Sequence, residues 1–367
     1  MPGLSPKAQA ARRAGKSSQD ASAAVEVWLW LVAALVLAMI VVGGATRLTD
    51  SGLSITEWKP ILGAIPPLSE ADWLVAFEKY KQIPEYQLVN KGMSLAGFKF
   101  IFWWEWSHRF LGRMIGVAFA LPLLAFWMLK RLRPGSGLKF LGVLALGGLQ
   151  GGIGWYMVSS GLADRVDVSQ YRLALHLSVA MTILALVVWL ALDERAARMG
   201  SAAPNAVASV RRFASPLLAL IGVQIVLGAF VAGLKAGLVY NTWPLMNGQM
   251  IPSDYWIAEH GLLSLFDSHA AVQFNHRIAA FLVFAAAIYQ AIRALNGGAT
   301  GQALASAVVL AGAVLVQAML GIFTLLLHVP LALGLLHQGG AAIVLAIAVW
   351  HVFACAGGSP SSRLPPA

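Results

Sequence analysis

The sequence predicts an all-α integral membrane protein, with eight transmembrane helices arranged as two pseudo-symmetric four-helix bundles. Three observations predict it. Of the 367 residues, 59% are hydrophobic and only 11% are charged, where soluble domains carry roughly 25% charged residues. Eight apolar runs are each close to the roughly 20 residues that a bilayer crossing needs. The second half of the chain repeats landmarks of the first in the same order. This composition excludes a soluble globular protein, a disordered chain and a nucleic-acid binder, despite a formal charge of +10.

The elements follow in order. Residues 1–26 form a basic tail with Lys7, Arg12, Arg13 and Lys16. No small-residue cleavage site follows the first apolar run, so a retained first span is expected rather than a cleaved leader. Spans are expected over 27–45, 107–129, 138–158, 173–192, 214–234, 271–293, 303–327 and 331–354. The long connection 46–106 contains Ser69 ahead of Glu70 and Asp72, with Trp73, Phe77 and Tyr80 at helical spacing. That pattern predicts a short surface helix with a serine cap. The stretches Pro134–Gly137 and Ser201–Asn205 read as turns or linkers. The chain therefore divides into a tail (1–26), a first repeat (27–195), a linker (196–213), a second repeat (214–354) and a C-terminal tail (355–367). Cys355 is the one cysteine, which leaves no internal disulfide and no CxxC motif.

Charge placement sets the expected orientation. The N-tail, the connections after even-numbered spans and the C-tail hold 14 basic and four acidic residues, a net +10. The remainder balances to zero. By the positive-inside rule that basic side is cytoplasmic. Both termini are then inside, and the long connections 46–106 and 235–270 face outward.

The repeat rests on matched residues. Gly43, Gly52, Leu53 and Trp58 correspond to Gly228, Gly237, Leu238 and Trp243, and Ile65-Pro66 to Ile251-Pro252. His108-Arg109 corresponds to His276-Arg277, Gln150 and Gly154 to Gln317 and Gly321, and Leu175-His176 to Leu336-His337. Two copies with an even number of spans share one orientation.

Ionisable residues inside spans are costly and mark function. His108, His176, His276 and His337 each fall near the outer start of spans two, four, six and eight. Histidines on facing helices of a four-helix bundle are a standard way to hold a haem. Four residues after each stands a small side chain: Gly112, Ala180, Ala280 and Ala341. A zinc site would want a third or fourth ligand, and neither repeat offers one. His260, His269, His328 and His351 read as ordinary histidines, and Trp58 and Trp243 as interfacial aromatics.

The copies differ at one telling position. Glu105 precedes His108 by three residues and shares its helix face. Its counterpart before His276 is the neutral Gln273. A carboxylate near a porphyrin can stabilise positive charge or move a proton, so the first half is expected to carry chemistry. Arg109, Arg277 and Arg47 are candidates for contacts to haem propionates, since arginine pairs well with carboxylates.

With its eight spans in two repeats, its segment Gly43-Gly-Ala-Thr-Arg-Leu-Thr-Asp-Ser-Gly-Leu-Ser54, and its Glu105-x-x-His108-Arg109, Phe274-Asn275-His276-Arg277 and Leu336-His337-Gln338 motifs, the chain resembles the haem A synthase family over essentially its whole length beyond the tail. The resemblance implies a membrane oxidoreductase that converts the C8 methyl of haem O to a formyl group through a hydroxymethyl stage. It implies haem b held by His276 and His337. The substrate haem O would lie near His108 and His176, with Glu105 as the essential carboxylate. Implied partners are haem O synthase and the cytochrome oxidase assembly machinery, in a bacterial inner membrane. Some family members carry a cysteine pair in the first outer connection. This chain has none there and is similar to the proteobacterial and mitochondrial type. The residues alone leave two rivals, a di-haem electron-transfer cytochrome and a haem carrier. They also leave the oligomeric state open, a homo-oligomer included.

Overall fold

A computed structural model describes residues 6–163, 165–199 and 208–356, with side chains from Ser22 onward. It contains eleven α-helices: α1 Pro6–Leu48, α2 Glu70–Tyr80, α3 Pro84–Leu88, α4 Leu95–Met128, α5 Ser136–Leu162, α6 Gln170–Met199, α7 Ala208–Gly233, α8 Ser264–Asp267, α9 His269–Asn296, α10 Gly301–Leu326 and α11 Leu331–Ala356. Eight are long and apolar enough to cross a membrane: α1 from Ser22, α4, α5, α6, α7, α9, α10 and α11. Each of the eight expected spans corresponds to one of them. Among the described residues the β structure is a single isolated bridge, Met246 with Gln249.

Packing groups the spans in fours. In the first group α1 packs on α4 and α6, and α5 packs on α4 and α6. In the second, α9 packs on α7 and α10, and α11 packs on α10 and α7. The two groups join where α1 and α6 meet α11 and α6 meets α7. The main apolar core lies along this junction, with Leu29, Val32 and Val36 of α1, Leu184 and Val187 of α6, Ile221 of α7 and Leu345 and Ala348 of α11. The spans α4, α5, α9 and α10 turn large apolar side chains outward instead, among them Leu121, Leu149, Leu282 and Val316. Apolar area of that extent has no place in water and identifies a lipid-facing rim.

The connection between α1 and α4 is a built cap. Ser69 accepts a hydrogen bond from the Asp72 amide while Asp72 reaches back to the Ser69 amide, the reciprocal box that fixes a helix start. Helix α2 then buries Trp73, Phe77 and Tyr80 against Phe98, Ile101 and Phe102 of α4. Trp73 meets Phe102 edge-on at 4.9 Å, and Phe77 stacks on Phe98 at 5.0 Å. This packing explains why α4 starts at Leu95 under a Ser94 cap, well before the expected span at 107. The added turns are helical because their apolar face has a partner, α2, rather than lipid.

Candidate functional site

Each of the four histidine-bearing helices belongs to one diagonal of its group. Helices α4 and α6 carry His108 and His176, and α9 and α11 carry His276 and His337. Neither diagonal pair makes substantial helix–helix contact, in contrast to the neighbouring pairs around each group. The two histidine-bearing helices of each group therefore lie across their bundle from one another rather than side by side. In the second group the two imidazole centres stand 6.4 Å apart with their planes at 87°.

Every one of the four rings presses on a glycine of an adjacent helix. A methyl group at Gly43 of α1 would lie 3.0 Å from Nε2 of His108. At Gly154 of α5 it would lie 2.9 Å from Cε1 of His176, at Gly228 of α7 3.0 Å from Cε1 of His276, and at Gly321 of α10 2.8 Å from Cε1 of His337. The contacts at Gly154 and Gly321 are shorter than a carbon side chain tolerates and those at Gly43 and Gly228 are at the tight limit, so the glycines give the rings room between the helices. These are the glycines that the internal repeat matches, Gly43 with Gly228 and Gly154 with Gly321.

Above the histidines both groups share one clamp, made by an arginine. Arg109 donates to the carbonyls of Ile55 (2.8 Å) and Glu57 (3.0 Å) and to the Glu105 carboxylate (2.6 Å). Arg277 donates to the carbonyls of Tyr240 (2.9 Å) and Thr242 (2.9 Å) and to the side-chain oxygen of Gln273 (3.1 Å). Each arginine thus ties the segment after the group's first span to its second span. The group between arginine and segment differs. Glu105 is 2% exposed and also accepts from the Ser54 hydroxyl (2.8 Å) and the Ile55 amide (2.7 Å). Its neighbours all donate to it, which suits an acceptor-only carboxylate. Gln273 turns its amide nitrogen to the carbonyl oxygens of Ala236 (2.9 Å) and Tyr240 (3.3 Å).

Compared with proteins of known family, residues 26–349 match the cytochrome oxidase assembly protein family. The chain is 51% identical to the haem A synthase of Brucella ovis over 332 residues, covering 89% of this chain and 90% of that protein. The same figures hold for the haem A synthase of Brucella abortus. A haem A synthase of Allorhizobium ampelinum is 51% identical over 329 residues, covering 90% of each chain. The chain belongs to the haem A synthase family of cytochrome oxidase assembly proteins.

Within this family fold, the residues singled out from the sequence fall into two sets. Glu105, Arg109 and the four histidines gather in the two bundles as described. Arg47 lies elsewhere, at the junction of the groups, where it pairs with Asp50 (3.1 Å) and Asp167 (3.3 Å) and donates to the Gly233 carbonyl (3.3 Å). His269 is exposed at the start of α9, and His351 is buried near the far end of α11 against Gln290 and Ser306. Three further residues complete the site: Gln150, Gln224 and Gln317, whose amides reach the histidine rings. In the sequence Gln150 and Gln317 are repeat markers. The spacing Gln-x-x-x-Gly at 150–154, 224–228 and 317–321 was a legible signal for all three.

Proposed function

We propose that this protein is a haem A synthase that oxidises the C8 methyl of haem O to a formyl group, by way of the hydroxymethyl stage. Its relatives and the two histidine pairs support this reading. One observation carries it towards chemistry and away from haem storage or plain electron transfer. Two bundles with the same arginine clamp differ in a carboxylate, Glu105, against an amide, Gln273.

The residues fit haem. Two histidines facing each other across a bundle would hold a haem through its iron. Among the described residues no group of three or more His, Cys, Asp or Glu is gathered as a bare metal ion would require. The His276 and His337 rings, 6.4 Å apart at their centres, would hold such a group between them. We assign the resident haem b to His276 and His337, and the substrate haem O to His108 and His176. Haem b supplies one-electron transfer when bound.

The protein's own groups do the rest. His108 and His176 fix where the substrate lies. Glu105 sets a carboxylate one helical turn from His108, able to stabilise positive charge on a substrate held there or to take a proton from it. Arg109 and the Ser54–Ile55 donors hold that carboxylate in one position. Arg277, whose Nε has no partner among the described residues, retains a donor for a propionate. The basic connections support a reading with both termini in the cytoplasm of a bacterial inner membrane and the site towards the periplasmic side. Haem O synthase is then the partner that supplies the substrate.

The test is Glu105→Gln, with haem extracted from purified protein and separated by chromatography. Retained haem b with no haem A is expected. Undiminished haem A would remove Glu105 from the reaction. A protein holding two haem b molecules and never haem O or A would establish the electron-transfer cytochrome instead.

A further inference from the structure

Three of the four histidines have a neighbour that the fourth lacks. Four residues before three of the glycines that receive a ring, one turn along the same helix face, stands a side chain that reaches towards that ring. For His176, His276 and His337 it is a glutamine. The amide nitrogens of Gln150, Gln224 and Gln317 lie 3.5, 3.4 and 3.0 Å from a ring nitrogen of their histidine. Gln150 and Gln317 also donate to the backbone carbonyl of the same histidine, at 2.9 and 2.7 Å. The side-chain oxygens of all three are buried without a partner, so each amide offers an acceptor as well as a donor. Four residues before Gly43, the position is Met39. Its terminal methyl lies where a side chain on Gly112 would meet it at 3.3 Å, one turn beyond His108 on α4. No described residue hydrogen-bonds the His108 ring. The ring is also turned differently. His108 presents its Nε2–Cδ2 edge to its glycine, while the other three present Cε1.

A thioether has no proton to donate and accepts weakly. It fills space but does not fix an imidazole, whereas a hydrogen-bonding partner behind a ligating histidine sets its orientation and strengthens its hold. We infer that Met39 is a positioning residue that leaves His108 unclamped, making the first repeat an exchangeable haem site and the second a retained one. This rests on the reading of the four histidines as haem ligands. The arrangement suits the two roles. A substrate haem must arrive and leave at every turnover, and His176, backed by Gln150, stays fixed while His108 lets go. A resident haem must stay, and both of its histidines carry an amide.

The experiment uses full-length protein purified from cells that make haem O. Excess apomyoglobin is added as a haem acceptor. Loss of haem O and A, and separately of haem b, is followed by extraction and chromatography, so that each site reports through its own haem. The wild type should lose haem O and A faster than haem b. Met39→Gln should slow the loss of haem O and A about fivefold to tenfold, the scale of one net hydrogen bond, with the haem b rate unchanged. Gln150→Met should speed the loss of haem O and A, and Gln224→Met the loss of haem b. Retained haem b in Met39→Gln shows that the variant is folded. If haem O and A then leave at the wild-type rate, or Gln224→Met leaves haem b untouched, the inference is wrong. If His108→Ala and His276→Ala keep their full haem O and haem b, the ligand reading itself fails, and the role of Met39 with it.

Discussion

A methyl group added at Gly321 would sit 2.8 Å from Cε1 of His337, while one added at Gly312 on the same helix would meet nothing within 4 Å. The same substitution therefore asks two different questions nine residues apart. Overpacking a tight site costs about 1–3 kcal/mol, which is roughly fivefold to a hundredfold in affinity. Gly321→Ala should lower the haem b content per protein and weaken its low-spin spectrum. Gly312→Ala should leave both at wild-type values. Equal haem content in the two variants would show that the ring does not need the space that the glycine leaves. Gly154→Ala is expected to act in the same way on the first repeat, through His176. The histidines themselves were legible in the sequence because an intramembrane histidine is rare. Their glycines stood out only as repeat landmarks and not as ring contacts, because glycine is common here, at 36 residues, and nothing in a single sequence says which helix face meets which ring.

At the scale of elements, the cap formed by α2, α3 and the first turns of α4 carries an unusual acid. Glu85 of α3 is 5% exposed, and its Oε2 has no partner among the described residues. Burial pushes its carboxyl up from 4.5 to about 8, and the nearby negative charges of Asp50, Glu105 and Asp167 push the same way. A carboxyl raised in the folded state binds its proton more tightly there than in the unfolded chain. Its contribution to stability is therefore complete below about pH 4.5 and is lost as the pH rises through about 8. The cap should accordingly loosen between pH 6 and pH 9. Amide exchange of residues 69–90 reads this directly, with faster exchange at pH 9 than chemistry alone gives. Glu85→Gln, neutral at any pH, should abolish the dependence. A cap equally protected at both pH values in the wild type would show that Glu85 is not held neutral. The existence of α2 was legible from Ser69, its early acids and its apolar spacing. The outward extension of α4 was not. Residues 95–106 include Lys99 and Glu105 among aromatics, and only the presence of α2 turns their apolar face into a buried one. For the same reason the sequence showed Glu105 as a lone charge near a histidine, and only the folded segment Ser54–Glu57 reveals it as a fully hydrogen-bonded one.

At the scale of the whole molecule, two kinds of contact join the two groups, and their magnitudes decide which one holds. The first is an ion-pair cluster at the face bearing the long connections. Arg47 and Lys235 share Asp50 and Asp167, with separations of 2.9 to 3.4 Å. Except for Arg47, these side chains are more than one-third exposed. Pairs of that kind contribute about 0–1 kcal/mol each and are screened by salt. The second is close packing of α1 on α11, where small residues let the helices approach. A side-chain carbon at Gly334 would meet Leu48 at 2.7 Å, and one at Gly339 would meet Val41 at 3.2 Å. Gln338 donates to the Ile40 carbonyl at 2.7 Å in the same seam. Inside a bilayer, where apolar side chains have no water to escape, packing and interhelical hydrogen bonds drive association. The packing should therefore dominate. Chains divided between Met199 and Ala208 and co-expressed as two tagged halves should co-purify in detergent, including at high salt. Lys235→Ala, which removes the ion pairs that cross between the halves, should leave that co-purification intact. Gly339→Leu, which forces α1 and α11 apart, should lose most of it, while each half remains in the membrane fraction. The reverse pattern, halves that separate on adding salt or on Lys235→Ala and tolerate Gly339→Leu, would place the joint in the ion cluster, with the helix seam as a passive contact.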